Sequence, residues 1–568
     1  MNRIALALLC TVALAVPVAA QQPPPKANTN LFGFIPLTVN GQASTMTELY
    51  RHGGGTARRP SSIWRMSFSP QATLFNEFGM GMEMLLSSEG SNFRQNINQV
   101  GFNPRWRFVT VHAGDFSRDY SPYTLSGTRI RGGGIDVTPG KWEFSLQAGR
   151  AQRTVASEEG GAYKRAMIGA AVGYGREGAS RISLSLMKAK DDPNSLEQNL
   201  LIVDTTFADT ALVPDRLLFA TSPQENLVLG LQTEFGLFNR RLHIKTEGGA
   251  SLFTRDLRSQ TVDANELGAL GVVNALQPLR LSTSGDYAYK TQIDLNLNTV
   301  GLRGGYEHVG AGYTSLGLPY LISDRSSYTF GGNAALFNGR LNLQAETNHQ
   351  SNNLLSQLAA RTDRSMNTAA IAFAATKSLN ISTTVATSGA TTPATTVAPA
   401  VDAHTFAFTT DVSTQKTLLG KSTSLTLAYG FQRSTDDAPN SQLPTVTGNN
   451  VTAAVMMALS PTVSFGPSVS AVRSSSESGE KQSNALVGFI ARAKLLAKQQ
   501  LVTSANVTNT FSAGRQVLSA RADASYPLPY QTRLSVQARH IKYAAFANRP
   551  GFNESFLTMS LGRSFKVR

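Results

Sequence analysis

The amino-acid sequence predicts an all-β fold: a single large antiparallel transmembrane β-barrel of about 24 strands, with a range of about 22 to 26. Three observations predict it. The chain begins with an export signal, its strands alternate apolar and polar residues, and short turns alternate with long polar loops. We divide the chain into a signal peptide (1–20), a periplasmic lead with a hairpin or small plug (21–60) and a transmembrane barrel (61–568).

The N-terminus has the three parts of a Sec signal peptide. Arg3 supplies a positive charge, residues 4–18 form a short apolar core, and Val18-Ala19-Ala20 is a small-residue cleavage site. The apolar run is shorter than the roughly 20 residues that a membrane-spanning helix needs. The only cysteine, Cys10, lies inside this signal, so disulfides and thiolate metal sites are excluded for the exported chain.

The composition fits a barrel better than a helical membrane protein. The mean hydropathy is slightly negative, at −0.14, and no run of 18 apolar residues follows the signal. A barrel strand alternates apolar and polar residues, so its average hydropathy resembles that of a soluble protein. The net charge of +15 would suit a nucleic-acid partner, but export argues against that partner. Anionic lipopolysaccharide or an anionic solute fits an exported chain.

Period-two alternation is the strand signal. In residues 285–298, Tyr287 and Ile293 fall on one face, and Lys290 and Asp294 fall on the other. The same pattern recurs at 141–147, 241–247 and 340–348. A soluble sandwich alternates in the same way, so alternation alone does not decide between a sandwich and a barrel.

The connections favour the barrel, because outer-membrane barrels have short periplasmic turns and long extracellular loops. Short turns recur at Thr138-Pro139-Gly140, Phe238-Asn239-Arg240, Leu297-Asn298-Thr299, Phe337-Asn338-Gly339 and Leu459-Ser460-Pro461. Longer polar loops lie between them at 190–223, 255–284, 314–325, 351–364, 389–402 and 435–446. One segment breaks the order: 88–105 is long where a short turn is due, so we expect it to tuck into the lumen. The Asn40-Gly41 turn signal predicts the hairpin or plug within 31–60.

The last strand resembles the C-terminal signal that the barrel-assembly machinery recognises in outer-membrane proteins. Its alternating apolar residues lead to an aromatic residue near the end of the chain; they are Leu557, Met559, Leu561 and Phe565. Arg563 interrupts the apolar phase, and Lys566-Val567-Arg568 follow the aromatic residue. An ordinary edge strand is the alternative interpretation.

Together these features resemble the bacterial outer-membrane β-barrel superfamily, which is porin-like, over nearly the whole exported chain. The segments 101–106, 121–127 and 222–226 resemble a functionally uncharacterised group of large barrels. The resemblance implies an integral outer-membrane location and a general expectation of transport. It also implies lipid, lipopolysaccharide and the barrel-assembly machinery as partners.

The sequence contains no recognisable catalytic or cofactor motif. The seven histidines are scattered without metal-site spacing, and no Gly-x-Ser-x-Gly motif occurs. Asp191-Asp192 and Asp436-Asp437 could hold calcium in loops, although solvated acid pairs are more common. We therefore predict no catalytic residue, no cofactor and no metal, and a protein that is not an enzyme.

The strand phases assign more basic than acidic residues to the lumen. The candidate lumen-lining basic residues are Arg107, Arg129, Arg131, Arg241, Lys245, Lys290, Arg303, Arg340 and Arg521. Rings of such residues select anions, and a low-dielectric wall strengthens their field. The same residues could instead brace the barrel or hold a plug.

These residues lead to the hypothesis of a passive or gated channel for small polar solutes, with anions favoured. The alternative is a non-transporting barrel that acts as an adhesin, a scaffold or a component of export machinery. A receptor powered from the inner membrane is disfavoured, because residues 21–60 are too few for its separate plug domain.

Overall fold

The computed structural model describes residues 37–567 except 76, 90–96, 156–160, 177, 197–220, 263–270, 397, 440, 442, 497–499, 513–514 and 547–549. The predicted signal peptide (1–20) and the first part of the predicted lead lie outside the described residues.

The described residues form 26 strands and one short helix, α1 (Gly271–Leu276). The strands are β1 (Leu37–Gly53), β2 (Ser62–Leu74), β3 (Phe78–Ser87), β4 (Gln99–Trp106), β5 (Val109–Ser117), β6 (Arg129–Val137), β7 (Trp142–Gln152), β8 (Arg165–Arg176), β9 (Ser180–Asp191), β10 (Glu225–Leu237), β11 (Leu242–Thr254), β12 (Thr283–Leu297), β13 (Val300–Val309), β14 (Arg325–Leu336), β15 (Leu341–Asn352), β16 (Asp363–Ala374), β17 (Leu379–Thr392), β18 (Val401–Leu418), β19 (Lys421–Asp436), β20 (Val446–Ser460), β21 (Val463–Ser476), β22 (Lys481–Leu495), β23 (Leu501–Ser512), β24 (Arg515–Leu528), β25 (Thr532–Tyr543) and β26 (Phe552–Val567). Within these residues no helix is long and apolar enough to cross a membrane.

The strands form one closed ring. Each pairs antiparallel with its neighbours in the chain, and the first strand pairs with the last. Thr47 of β1 lies opposite Trp64 of β2 on one side and Met559 of β26 on the other. The described sheet therefore has no free edge, and the predicted all-β antiparallel barrel is confirmed. Its 26 strands lie within the predicted range.

The first of the two strands beyond the predicted 24 is β1. The sequence places a lead with a hairpin or plug at 21–60, but the structure places Leu37–Gly53 in the wall, so the barrel begins before residue 61. The Asn40-Gly41 pair lies inside this strand and makes no turn. A Cβ on Gly41 would lie 2.7 Å from both Phe565 Cζ and Pro70 Cα. Glycine at this position permits close approach of the neighbouring strands.

The second additional strand is β4, and it corrects the interpretation of 88–105. Residues 88–98 connect β3 to β4, and Gln99–Trp106 belongs to the wall rather than to a segment inside the lumen. Gly101 and Pro104 hide the alternation of this strand. A Cβ on Gly101 would lie 2.2 Å from the carbonyl oxygen of Asp115, so only glycine fits here.

The seam between β1 and β26 can be tested by cross-linking, because residues 21–568 contain no cysteine. The double variant T47C/M559C places two cysteines at directly opposed positions. Opposed Cα atoms lie about 4.5–5.5 Å apart, within disulfide range. We expect the folded barrel to form this disulfide, seen as a gel-mobility change that reduction reverses. In the control T47C/L561C the two cysteines are diagonal neighbours about 7–8 Å apart, and they should not cross-link. Failure of the opposed pair would contradict β1 as a wall strand.

The two faces of the sheet differ in polarity. One row of register partners contains Ile135, Leu146, Ala170, Leu186 and Leu229. The adjacent row contains Asp136, Ser145, Ala171, Ser185 and Gly230. Side chains alternate between faces, so the two rows point to opposite sides. The second row contacts the connection 118–128, where Tyr120 Oη lies 3.0 Å from Ser145 Oγ. This row faces the lumen, and the apolar row faces outward.

The connections alternate between two rims because successive strands are antiparallel. The short-connection rim carries 75–77, 107–108, 138–141, 177–179, 238–241, 298–299, 337–340, 375–378, 419–420, 461–462, 496–500 and 529–531. The long-connection rim carries the other connections, which include the long segments 118–128, 192–224, 255–282 and 310–324 and the short connections 477–480 and 513–514.

Candidate functional site

Two connections of the long-connection rim meet inside the barrel. We call residues 118–128 inner loop A and residues 310–324 inner loop B. Tyr123 of loop A and Tyr313 of loop B meet edge to face, with ring centroids 6.4 Å apart. The Tyr313 hydroxyl donates to the carbonyl oxygen of Tyr123 at 2.5 Å, and the Ser315 hydroxyl donates to that of Thr124 at 2.5 Å. The two loops are therefore one unit.

This unit packs on the lumen face of the strands from β6 to β13. The buried apolar residues of those strands in its cluster are Ile130, Met167, Met187, Ala189, Val228, Ala288 and Val309. Burying one large apolar side chain contributes about 1.5–3 kcal/mol. The wall also leaves space for the loops. A Cβ on Gly249 of β11 would lie 2.4 Å from Tyr313 Oη and 2.9 Å from Tyr123 Cβ.

Polar anchors fix the depth of the loops. Asn226, fully buried on β10, donates from Nδ2 to Thr314 O at 3.1 Å and accepts at Oδ1 from Leu316 N at 3.0 Å. The Tyr123 hydroxyl donates to Glu307 Oε1 at 2.9 Å. Burial, together with the charge of Glu307, raises the pKa of the Tyr123 phenol well above its usual range. This phenol therefore remains a protonated donor at all physiological pH values.

The lumen face from β7 to β14 carries paired charges, which we call the paired wall. Its ion pairs are Arg165–Asp191 (2.7 Å), Arg181–Glu143 (2.5 Å), Lys245–Glu247 (3.0 Å), Arg303–Asp294 (2.8 Å) and Arg325–Glu307 (3.1 Å). Each pair cancels most of its own field, so this wall braces the barrel without a strong preference for either sign of charge.

The lumen face from β22 to β26 is different. Its basic residues, which we call the basic wall, are Arg492, Lys494, Arg515, Arg521, Arg533, Arg539 and Lys566. Among the described residues only Arg521 of this set forms an ion pair, with Asp523 at 2.9 Å. Arg539 lies directly opposite Arg521. In a ring of 26 strands β11 and β24 lie half a circuit apart, so the basic wall faces the paired wall across the lumen.

The structure places four of the nine candidate residues on the lumen face: Lys245, Lys290, Arg303 and Arg521. Of the basic wall, only Arg521 is among the nine candidates, and the other six residues lie on the same lumen face. The sequence pattern also identifies Arg539, because even spacing along β25 places it on the same face as Arg533 and Gln537.

Arg129 and Arg131 are not lumen residues. Ile130 between them is fully buried against the inner loops, so the alternation of β6 turns both arginines outward. Gly132, Gly133 and Gly134 follow them and carry no side chain that could reveal the phase. The prediction that Arg129 and Arg131 line the lumen, which follows from their polarity alone, is therefore wrong.

Arg107, Arg241 and Arg340 are also not lumen-wall residues, because they lie in connections of the short-connection rim. Arg107 pairs with Glu77 at 3.2 Å. Arg340 donates to the carbonyl oxygens of Ala374, the last residue of β16, and of Ala375. Period-two alternation does not apply at these positions, because the strands end before them or begin after them.

Leu557, Met559, Leu561 and Phe565 all lie on the outward-facing side of β26. They continue the outward rows of β25 and β1 there, with Leu561 opposite Leu534 and Met559 opposite Val536. Their role as a signal for the barrel-assembly machinery stays a prediction.

Other candidate chemistry has a structural explanation among the described residues, where no cluster of three metal-ligating side chains occurs. Asp191 pairs with Arg165. Asp436 accepts from the Asp402 backbone at 2.8 Å and from the Ser441 hydroxyl at 2.9 Å. His540 Nδ1 lies 2.8 Å from Ser555 Oγ on the outward face, and no described carboxylate orients this histidine.

The comparison with protein-family models gives no match, and neither does the comparison with curated proteins. Three solved structures illustrate the similarities found. OpdK of Pseudomonas aeruginosa, crystallised with vanillate, is 9% identical with a TM-score of 0.31, over 61% of this chain and 93% of that chain. OccAB3 of Acinetobacter baumannii is 10% identical with a TM-score of 0.31, over 61% and 93%. The outer membrane protein OprD of Pseudomonas aeruginosa is 12% identical with a TM-score of 0.31, over 60% and 89%.

A closed antiparallel barrel with an apolar outer face and a polar lumen is the architecture of bacterial outer-membrane barrels. The architecture is porin-like.

Proposed function

We propose that this chain spans the bacterial outer membrane and forms a passive or gated channel for small polar solutes, with anions favoured. The long-connection rim faces the cell exterior and the short-connection rim faces the periplasm, as in other outer-membrane barrels. Export through the signal at 1–20 and insertion by the barrel-assembly machinery belong to the same proposal.

The outer face supports membrane insertion. Aromatic girdles at the two membrane interfaces are typical of such barrels. Toward the short-connection rim, the exposed outward-facing aromatic residues include Trp106, Trp142, Phe235 and Phe373. Toward the long-connection rim they include Tyr287, Tyr306, Tyr328 and Phe406. Exposure of these two bands of aromatic side chains to water is unfavourable, whereas the membrane interface accommodates them.

The lumen supports transport. Barrels of 16 to 18 strands already enclose an aqueous channel, and the interior widens with strand number. The inner loops pack on the strands from β6 to β13 and narrow the lumen from that side. The described part of the basic wall faces the lumen opposite them, and Arg521 remains about half exposed there (51%).

The basic wall is the single observation that carries the anion preference. Its seven basic side chains include one ion pair among the described residues, whereas the opposing wall is paired. The membrane-embedded wall has a low dielectric constant, which focuses the field of these charges on a solute and raises the local concentration of anions.

Planar bilayers test this function. We expect the purified, refolded protein to give stepwise conductance, and a KCl gradient to give a zero-current potential of the sign for chloride preference. A potential of the opposite sign would refute the anion preference alone. Absence of conductance from a barrel that shows heat-modifiable gel mobility would refute the channel.

A further inference from the structure

A cavity of about 370 Å³ lies at the long-connection rim, where β6, β7 and β8 meet inner loop B. This volume lies within the range of small-molecule pockets, which is about 300–1,000 Å³. Five arginines contribute to its lining: Arg129, Arg131, Arg150, Arg153 and Arg165. Leu316 and Pro319 of inner loop B supply an apolar side. The cavity combines a dense positive charge with a small apolar surface.

Two of the arginines are neutralised by neighbouring carboxylates. Arg131 Nη2 lies 2.7 Å from Asp115 Oδ2, and Arg165 Nε lies 2.7 Å from Asp191 Oδ1. Both pairs hold the guanidinium groups in fixed positions at the edge of the cavity. Each of these two carboxylates is thereby used by the guanidinium group that it contacts.

Arg129 and Arg150 form no ion pair among the described residues. Arg150 also lies directly opposite Arg131 in the register of β6 and β7. Like charges at directly opposed positions destabilise a sheet. Asp115 already supplies a countercharge to Arg131, and an anion at Arg150 would supply the second one. Within the part of the chain that the structure describes, these two arginines therefore have no carboxylate partner.

We propose that this cavity binds a phosphomonoester. A phosphate group carries about −1.5 to −2 charges at pH 7, which matches the two uncompensated arginines, whereas a carboxylate carries only one. Guanidinium forks bind phosphate oxygens in a bidentate manner. The apolar side formed by Leu316 and Pro319 fits a compact organic group attached to the phosphate.

Two sources offer this chemistry: a soluble sugar phosphate at the mouth of the barrel, or a phosphorylated headgroup of lipopolysaccharide in the surrounding membrane. The proposal does not rest on the channel function, because binding at the rim can be measured without conductance.

Titration calorimetry of the folded barrel in detergent tests the proposal. One arm uses glucose 6-phosphate with glucose as its control, and the other uses lipid A with dephosphorylated lipid A as its control. We expect a phosphorylated probe to bind and its unphosphorylated control not to bind. R150Q should weaken this binding by about tenfold, which corresponds to the loss of one charged hydrogen bond.

The matched control is R433Q, which removes an outward arginine of the same rim that lies outside the cavity. It should leave binding unchanged, and heat-modifiable mobility verifies that both variants fold. Binding confined to glucose 6-phosphate supports a soluble ligand, and binding confined to lipid A supports a headgroup. No binding in either arm, or binding that R150Q and R129Q leave unchanged, overturns the proposal.

Discussion

Replacing Gly249 by valine is expected to release the inner loops from the wall and to raise the single-channel conductance. The new side chain would collide with the inner loops, because its Cβ alone would lie 2.4 Å from Tyr313 Oη and 2.9 Å from Tyr123 Cβ. Overpacking of this kind costs about 1–3 kcal/mol. The loops can avoid that cost by leaving the lumen, because the wall strands cannot move apart within a closed sheet. Single-channel recording of G249V beside the wild type measures the effect.

The adjacent Gly248 supplies a matched control, because it faces outward and its Cβ would lie no closer than 3.7 Å to another atom. We expect G248V to conduct like the wild type. A second route to the same effect is N226L, which leaves Thr314 O and Leu316 N without their buried partner, at a cost of about 1–3 kcal/mol. If G249V and N226L both conduct like the wild type, the inner loops do not constrict the channel.

Neutralising Arg521 and Arg539 together is expected to lower the anion-over-cation permeability ratio by at least about fivefold. The two residues lie opposite each other on neighbouring strands of the basic wall. A unit charge about 4 Å from a hydrated ion contributes about 1 kcal/mol in water, and that energy corresponds to a factor of about 5 in population. The zero-current potential of R521Q/R539Q in a KCl gradient measures the ratio.

The control R433Q/R473Q changes the net charge by the same amount but removes outward-facing arginines of the long-connection rim. Its permeability ratio should equal that of the wild type. A shift of equal size in both double variants would mean that the overall charge, and not the basic wall, sets the preference.

The sequence predicts the face of a residue wherever a strand has a clear apolar side. Tyr287 and Ile293 fix the phase of β12, and this phase assigns Lys290 to the opposite face, which is the lumen face of the structure. Cross-strand register then carries the same phase to Lys245 and Arg303 on β11 and β13. The side-chain period of two makes such assignments firm, since a slip of one residue would reverse every side chain. β6 offers no such reference, because three glycines follow its arginines.

The inner loops could not be predicted, because their contacts join residues far apart in the chain. Asn226 bonds to Thr314 and Leu316, and Tyr123 bonds to Glu307. Two sequence segments singled out without a known role, 121–127 and 222–226, supply these contacts. Inner loop A contains the first segment, and Asn226 ends the second. Their distinctive sequences are explained by docking inside the barrel, which no local pattern expresses.

The most direct test of a conducting lumen is thiol accessibility on β24. Ser519 faces the lumen and Ala520 faces outward, and residues 21–568 contain no native cysteine. We expect a water-soluble, negatively charged thiosulfonate reagent to reduce the current through S519C and to leave the current through A520C unchanged. Equal insensitivity of both variants, or a reduction confined to A520C, would contradict a solute path along the basic wall.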